Sequence, residues 1–366
     1  SNLRVLNMLG KVWKDVYGNI LEINACFGHL HDLAWLLNLP DENVRKMHLS
    51  RSHLEKEREH RKDCRMVLHD LKAQGKECES VIALDMIPLS MSGIAFRHGS
   101  TGSPYSATFS WPHFSMNQNQ KVCITGQPGS GKATFLRLLA GVTLPGKGDV
   151  MVPPHLSARH VSISPILFKG TLMENLLYGL DHGSPLGNVG RVVSICKQLG
   201  VSSRTCDCIE SGQVGDWDKV CPGTEMKLLH IARGLIADPE VLIMQMPTKG
   251  LSSSQAKRVL RLLKIVVDER GVLRDSAGRH KRRPRSIVYS AAPDDRLGIF
   301  SADEVFLLAR NGVTPLLEQD LLEQTWFRAF AAGQASEGCP SSYLSKSLHS
   351  SGYSSAFLSK EKNTAS

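Results

Sequence analysis

One stretch limits the fold more than any other. The strand-like run KVCIT (Lys121–Thr125) leads into Gly126-x-x-Gly129-x-Gly131-Lys132, and the helix-prone run ATFLRLLAG follows. Strand, glycine-rich turn and helix in that order form a phosphate loop: its amides point inward, the helix N-terminus is electropositive, and Lys132 reaches the outer phosphates. The binding positions are Gly126, Gln127, Pro128, Gly129, Ser130, Gly131, Lys132, Ala133 and Thr134. Ala133 stands where this motif carries a hydroxyl for Mg²⁺, so one protein ligand to the metal is missing, although water can replace it. Thr134 keeps a hydroxyl one position on, useful for phosphate contact. Phosphate binding is therefore better supported than metal-dependent chemistry.

With 366 residues, 42% hydrophobic and 22% charged, the chain has room for two domains, or one with extensions, and the composition of a soluble globular protein. A net charge of +9 raises the possibility of nucleic acid, but the basic residues gather in two local runs. In RSHLEKEREHRKDCR (Arg51–Arg65) acids are interleaved, as on a solvated helix; RHKRRPR (Arg279–Arg285) reads as a solvated surface loop, with an anionic lipid or phosphate contact secondary. Nucleic acid is thus an unlikely partner. Of nine cysteines only Cys206-x-Cys208 is a close pair, which supports neither a disulfide framework nor a zinc site. No run of 18 apolar residues is present to span a bilayer alone, there is no secretory signal, and the start SNLRVLNMLGK, without an initiator Met, suggests a fragment.

Leu6, Leu9, Trp13, Val16, Ile20, Ile23, Phe27, Leu30, Ala34 and Leu37 recur in steps of three and four, the seam of a helix packed lengthwise on another. One long helix is predicted to about Leu37, ended by Pro40 and lacking local companions for its seam. Residues 41–80 read as a charged helical connector with little core of its own. From Val81 come the β-like runs VIALDMI, SGIAFRH, YSATFSW and QKVCITG. PEVLIMQM and RSIVYSA then read as buried parallel strands flanked by the helices EMKLLHIARGLIA and SSSQAKRVLRLLKIVV, so the class is α/β. Residues 331–366 read as a disordered Ser-rich tail.

From about Ile82 to Phe330 the order of landmarks resembles the nucleotide-binding domain of an exporter-type ATP-binding cassette (ABC) transporter. The resemblance is carried by VSISPILFKGTLMENLLYG (Val161–Gly179), ARGLIADPEVLI (Ala232–Ile243) and SADEVFLLARNGV (Ser301–Val313). It implies a P-loop NTPase-like cassette over 81–330, with a β-subdomain, a parallel-sheet core and a helical subdomain, preceded by a long helical segment. Residues 1–40 then resemble the cytosolic end of a transmembrane-domain helix. The implied partners are a transmembrane domain, a second cassette and, through a parent protein, the cytosolic face of a membrane; the implied cofactor is ATP.

Carried over by position, the family's adenine-stacking aromatic becomes His98. The glutamine that contacts Mg²⁺ and the attacking water becomes Ile163, and the LSGGQ signature becomes Cys221–Glu225, in which only Gly223 survives. The Asp-Glu pair becomes Gln245 and Met246, the loop aspartate Ser252, and the switch histidine Ala291 or Ala292. Ile163 and Met246 read most simply as packing residues on buried edges, and Gln245 as a satisfied strand-end amide. These replacements imply weak ATP binding, doubtful Mg²⁺, no protein metal ligands and no catalytic residues, because phosphoryl transfer depends on charge neutralisation and a positioned water. Three alternatives stay open at this stage: a scaffold or regulatory pseudo-ATPase that binds no nucleotide, a soluble ABC protein acting on nucleic acid or the ribosome, and a divergent ATPase.

Overall fold

A computed structural model describes residues 2–38, 42–73, 83–98, 107–181, 183–273 and 276–316. Pro40 and the tail assigned to 331–366 lie outside them. The chain divides into two units, Ser1–Ser52 and His53–Ser366.

In the first unit, α1 (Asn2–Leu37) is one unbroken helix of 36 residues, as the seam spacing predicts. Leu6, Leu9, Trp13, Ile20, Ile23, Phe27 and Leu30 are all exposed along it. No helix among the described residues is long and apolar enough to cross a membrane. The charged connector is helical too, α2 (Glu42–Ala73). Its part in the second unit is anchored by polar contacts: His53 Nε2 lies 2.8 Å from Asp149 Oδ1, and Lys56 Nζ donates to Asp149 Oδ2 at 2.6 Å. Cys64 on the same helix is fully buried, and burial pushes its thiol up to about 11.

After α2 the described chain resumes with a short 3-10 turn at Ala83–Met86, where a strand is expected from VIALDMI, and β1 (Leu89–His98) follows. β2 (Ala107–Met116) follows, then β3 (Lys121–Thr125), α3 (Lys132–Leu139), β4 (Lys147–Met151) and β5 (Ala158–Val161). A helical region comes next: the short β6 (Gly170–Thr171), α4 (Leu172–Leu176), α5 (Val189–Leu199), α6 (Ser203–Ser211), β7 (Val214–Gly215), α7 (Trp217–Val220) and α8 (Gly223–Ile236). The chain then returns to the sheet through β8 (Val241–Met244), α9 (Ser253–Asp268), β9 (Ser286–Ser290), α10 (Arg296–Phe300), β10 (Glu304–Ala309) and β11 (Gly312–Leu316).

β2, β1 and β4 make an antiparallel sheet in that order. The main sheet runs β11-β10-β3-β9-β8-β5 and is parallel except for the β10–β11 hairpin. Side chains alternate across a strand, and both faces of this sheet are covered, so its central strands β3, β8 and β9 are buried at every position. Val122, Ile124, Val241, Ile243, Val288 and Phe306 pack with α3 and the antiparallel sheet. Cys123, Leu242, Met244, Ile287, Tyr289 and Val305 pack with α5, α8 and α9 on the other face. Two cores thus clamp one sheet and fix where its carboxyl-terminal edge lies.

The basic run expected to form a solvated loop is partly internal. Arg285 is buried, with its guanidinium beside Asp238 (3.4 Å) and Glu240 (3.1 Å). Removing Arg285 would leave the buried Asp238 carboxylate without this counter-ion, the costly case for an internal ion pair.

Candidate nucleotide site

β3 ends at Thr125, and the chain turns at the carboxyl edge of the sheet through Gly126–Gly131 into α3. Two glycines are required by space as well as by angle. A β-carbon on Gly126 would lie 2.4 Å from Leu308 O, and one on Gly131 (φ 95°) would lie 2.8 Å from the Phe109 ring. Gln127, Pro128 and Gly129 form the exposed apex, closed by Ser130 N donating to Gln127 O at 3.1 Å. Ser130 is buried, and its hydroxyl has no hydrogen-bond partner among the described residues, so a polar atom is held uncompensated by them in the cradle.

Lys132 Nζ donates to Gly126 O (2.5 Å) and Gln127 O (2.8 Å). Burial lowers its pKa to about 8, because the charged form is the one that loses hydration. The first turn of α3 also brings in His98: its Nε2 is 3.2 Å from Thr134 Oγ1, and its ring stands edge-on to Phe96. Gly126–Thr134 and His98 therefore share one neighbourhood, with His98 exposed and Ala133 facing outward as the first-turn residue without a hydroxyl.

Across from the loop, the end of β8 is committed to bonds within the protein. Gln245 is buried; its Nε2 donates to Ala133 O (3.4 Å) and lies 3.1 Å from His160 Nε2, while its Oε1 accepts from Ile163 N at 3.4 Å. Burial, with the Arg137 charge nearby, lowers the pKa of His160 and leaves that ring nitrogen a lone pair for the amide. The expectation of a satisfied amide at Gln245 describes this geometry. Ile163 and Met246 differ from theirs. Ile163 is 39% exposed, and Met246 is half-buried with φ 44°, a left-handed backbone that a bulky residue rarely adopts. Ser290 Oγ accepts from Met246 N at 3.1 Å, and Lys227 Nζ donates to the carbonyls of Met246 and Lys249, which holds that conformation. Burial, then the neighbouring Lys249 charge, lowers the pKa of Lys227 to about 8.

The remaining sequence-predicted positions have structural partners of their own. Pro222 precedes α8 without a side-chain cap, and the carboxylate of Glu225 accepts from Thr205 Oγ1 at 2.6 Å. Ser252 caps α9 in a reciprocal box with Gln255. Ala291 is buried, its N–H donating to Ile124 O, and Ala292 accepts from Asp295 N in the following turn. His160 and Lys227 were not singled out from the sequence. Their partners lie 85 and 19 to 22 residues away, a separation that carries no local signal.

A glycine-rich turn at the carboxyl edge of a parallel sheet, opening a helix and presenting a buried lysine, defines a P-loop nucleotide-binding domain. Residues 110–249 match the family profile described as "ABC transporter", and over that segment the chain is similar to ABC nucleotide-binding domains. It is similar to the ATP-dependent permease MDL1 of Candida albicans, at 26% identity over 195 residues, covering 50% of this chain and 28% of the permease. It is also similar to the mitochondrial iron-sulfur clusters transporter ABCB7 of Homo sapiens, at 31% identity over 170 residues, covering 43% of this chain and 22% of that protein. A solved structure of a bacterial Atm1-family ABC exporter with ATP bound superposes with a TM-score of 0.53 at 20% identity, covering 69% of this chain and 43% of the exporter. The chain thus spans less than a third of the length of these two curated relatives.

The phosphate-binding part of a nucleotide fits this site. Gly126 and Gly131 leave no room for a β-carbon, the Ser130 hydroxyl has no hydrogen-bond partner among the described residues, and Lys132 stands at the loop. The donor set fits Mg²⁺ poorly: Ala133 offers no oxygen from its side chain, and the one side-chain oxygen of Gln245 already accepts from Ile163 N.

Proposed function

We propose that this cassette is the nucleotide-binding part of an exporter-type ABC transporter that holds ATP weakly and no longer hydrolyses it. The observation that carries the reading is the pairing of a phosphate loop whose glycines and lysine are in place with a neutral strand end, where Gln245 is bonded to Ala133, His160 and Ile163 instead of facing a metal. Its partners are a transmembrane domain and a second cassette, and it works at the cytosolic face of a membrane. The exposed apolar seam of α1 supports a helical partner of that kind. The backbone cradle and Lys132 bind phosphate without metal, whereas Gln245 and Met246 bring no acid to hold Mg²⁺ and Ile163 no polar group to position water. Steady-state hydrolysis tests this: turnover should equal that of Lys132→Ala, and Gln245→Asp with Met246→Glu should not restore it, because Ile163 and the alanine at the switch position remain. Lysine-dependent turnover above background would overturn the reading.

A second reading, a scaffold that binds no nucleotide, draws on the ammonium of Lys132, which is already satisfied by two loop carbonyls. Calorimetry separates the two, since a scaffold gives no heat with ATP.

A further inference from the structure

We propose that Arg310 is a second cationic contact for the phosphates of the bound nucleotide, presented to the loop by the β10–β11 turn. The inference rests on the reading of this site as one that binds nucleotide. β10 runs parallel to β3 with Leu307 opposite Thr125, so the residues that follow it pass directly beside the phosphate loop. The approach is close enough that Leu308 O would lie 2.4 Å from a β-carbon on Gly126. Ala309 pairs with Gly312, which leaves Arg310 and Asn311 as a two-residue turn beyond the carboxyl edge of the sheet. That edge is where open α/β sheets bind their ligands.

The backbone of the turn is held from the side. Trp111, fully buried, donates from Nε1 to Ala309 O at 2.9 Å, and Ser110 N donates to Arg310 O at 2.8 Å. The side chain is not held in the same way. Arg310 is exposed, its Nη2 stands 3.8 Å from where a β-carbon on Gly129 would lie, and its guanidinium makes no hydrogen bond or ion pair among the described residues. Gly129, at φ 82°, is part of the exposed loop apex. A permanently charged fork with five donors therefore stands uncommitted beside a phosphate cradle whose own lysine is bonded to loop carbonyls. Guanidinium–phosphate bonds need no metal, which suits a site where Ala133 and Gln245 offer Mg²⁺ so little.

The test is calorimetric titration of the full chain in EDTA with ATP, inorganic tripolyphosphate and adenosine as separate ligands, using wild type, Arg310→Ala and Arg310→Lys. Arg310→Ala should weaken ATP and tripolyphosphate to the same extent, by about tenfold, the loss expected for one charge-assisted hydrogen bond. Arg310→Lys should recover part of that loss, adenosine should be unaffected, and the salt dependence of ATP binding should flatten in the alanine variant. Because the side chain is exposed, the melting temperature should not change. If wild type binds ATP and Arg310→Ala binds within twofold with the same salt dependence, Arg310 is only a solvated side chain and the proposal is overturned. If wild type binds neither ATP nor tripolyphosphate, the nucleotide reading itself fails, and this proposal fails with it.

Discussion

The Gly126–Lys132 loop offers main-chain amides, one lysine and a hydroxyl that has no hydrogen-bond partner among the described residues. Across the site, at the end of β8, every polar atom of Gln245 that could face a ligand is bonded to Ala133, His160 or Ile163. The two regions abut through the contact between Gln245 and Ala133 O, yet one is arranged to receive an anion and the other to satisfy itself. Backbone binding depends on glycines and a helix N-terminus, which the packing of Phe109, Trp111 and Leu308 enforces regardless of neighbouring side chains. Metal chemistry depends on particular acids, and Gln245 and Met246 at this strand end carry none.

Substitutions on the two sides should separate binding from stability. The largest effect belongs to Lys132→Ala. Removing the cation from the loop should weaken ATP by roughly ten- to a hundredfold, the range for a lost bond to a charged group, with little change in melting temperature because the lysine is held charged against burial. Equal ATP affinity in the variant would show that the amides suffice alone.

A pH titration should give the next largest effect. Lys132 has its folded pKa lowered to about 8, from an ordinary value of 10.5. Between those two values the unfolded chain binds the proton and the folded chain does not, so this group adds stability as pH rises through that window. Its effect on binding has the opposite sign, since phosphate needs the ammonium: ATP affinity should fall by roughly tenfold between pH 7 and pH 9. Lys132→Ala should lack that fall. Lys227, also lowered to about 8, titrates in both proteins and so cancels from the comparison.

Gln245→Ala should behave in the reverse way. Loss of its hydrogen bonds leaves His160 and Ile163 N without their partner and should cost about 1–2 kcal/mol of stability in denaturant unfolding, while ATP affinity stays within twofold. A large loss of affinity would place Gln245 in the binding site after all.

The elements that set the site were legible because local chemistry dictates them. KVCIT, the glycine turn and ATFLRLLAG form β3, the loop and α3, and the apolar runs at Val241 and Ser286 form the central strands β8 and β9. The seam spacing likewise gave α1 its length. Reading failed where tertiary partners decide. VIALDMI has strand-like composition but forms a 3-10 turn over Ala83–Met86, and Ile163 is apolar yet exposed. Arg285 sits in a basic run that looks solvated, but Asp238 and Glu240, 47 and 45 residues away, draw it inside. The left-handed backbone of Met246 could not be inferred from a residue type that avoids it. Arg310 carries no motif, and only the parallel register of β10 with β3 brings it to the loop.

The most direct measurement of the contrast between loop and strand end is the affinity of the full chain for ATP by calorimetry, with Mg²⁺ and with EDTA. If the amides and Lys132 bind phosphate while Ala133, Ile163 and Gln245 leave the metal without protein ligands, the two affinities should lie within tenfold, or ~1.4 kcal/mol, of each other. A tightening by Mg²⁺ of tenfold or more would contradict the account, because it would require a metal site that these side chains do not provide.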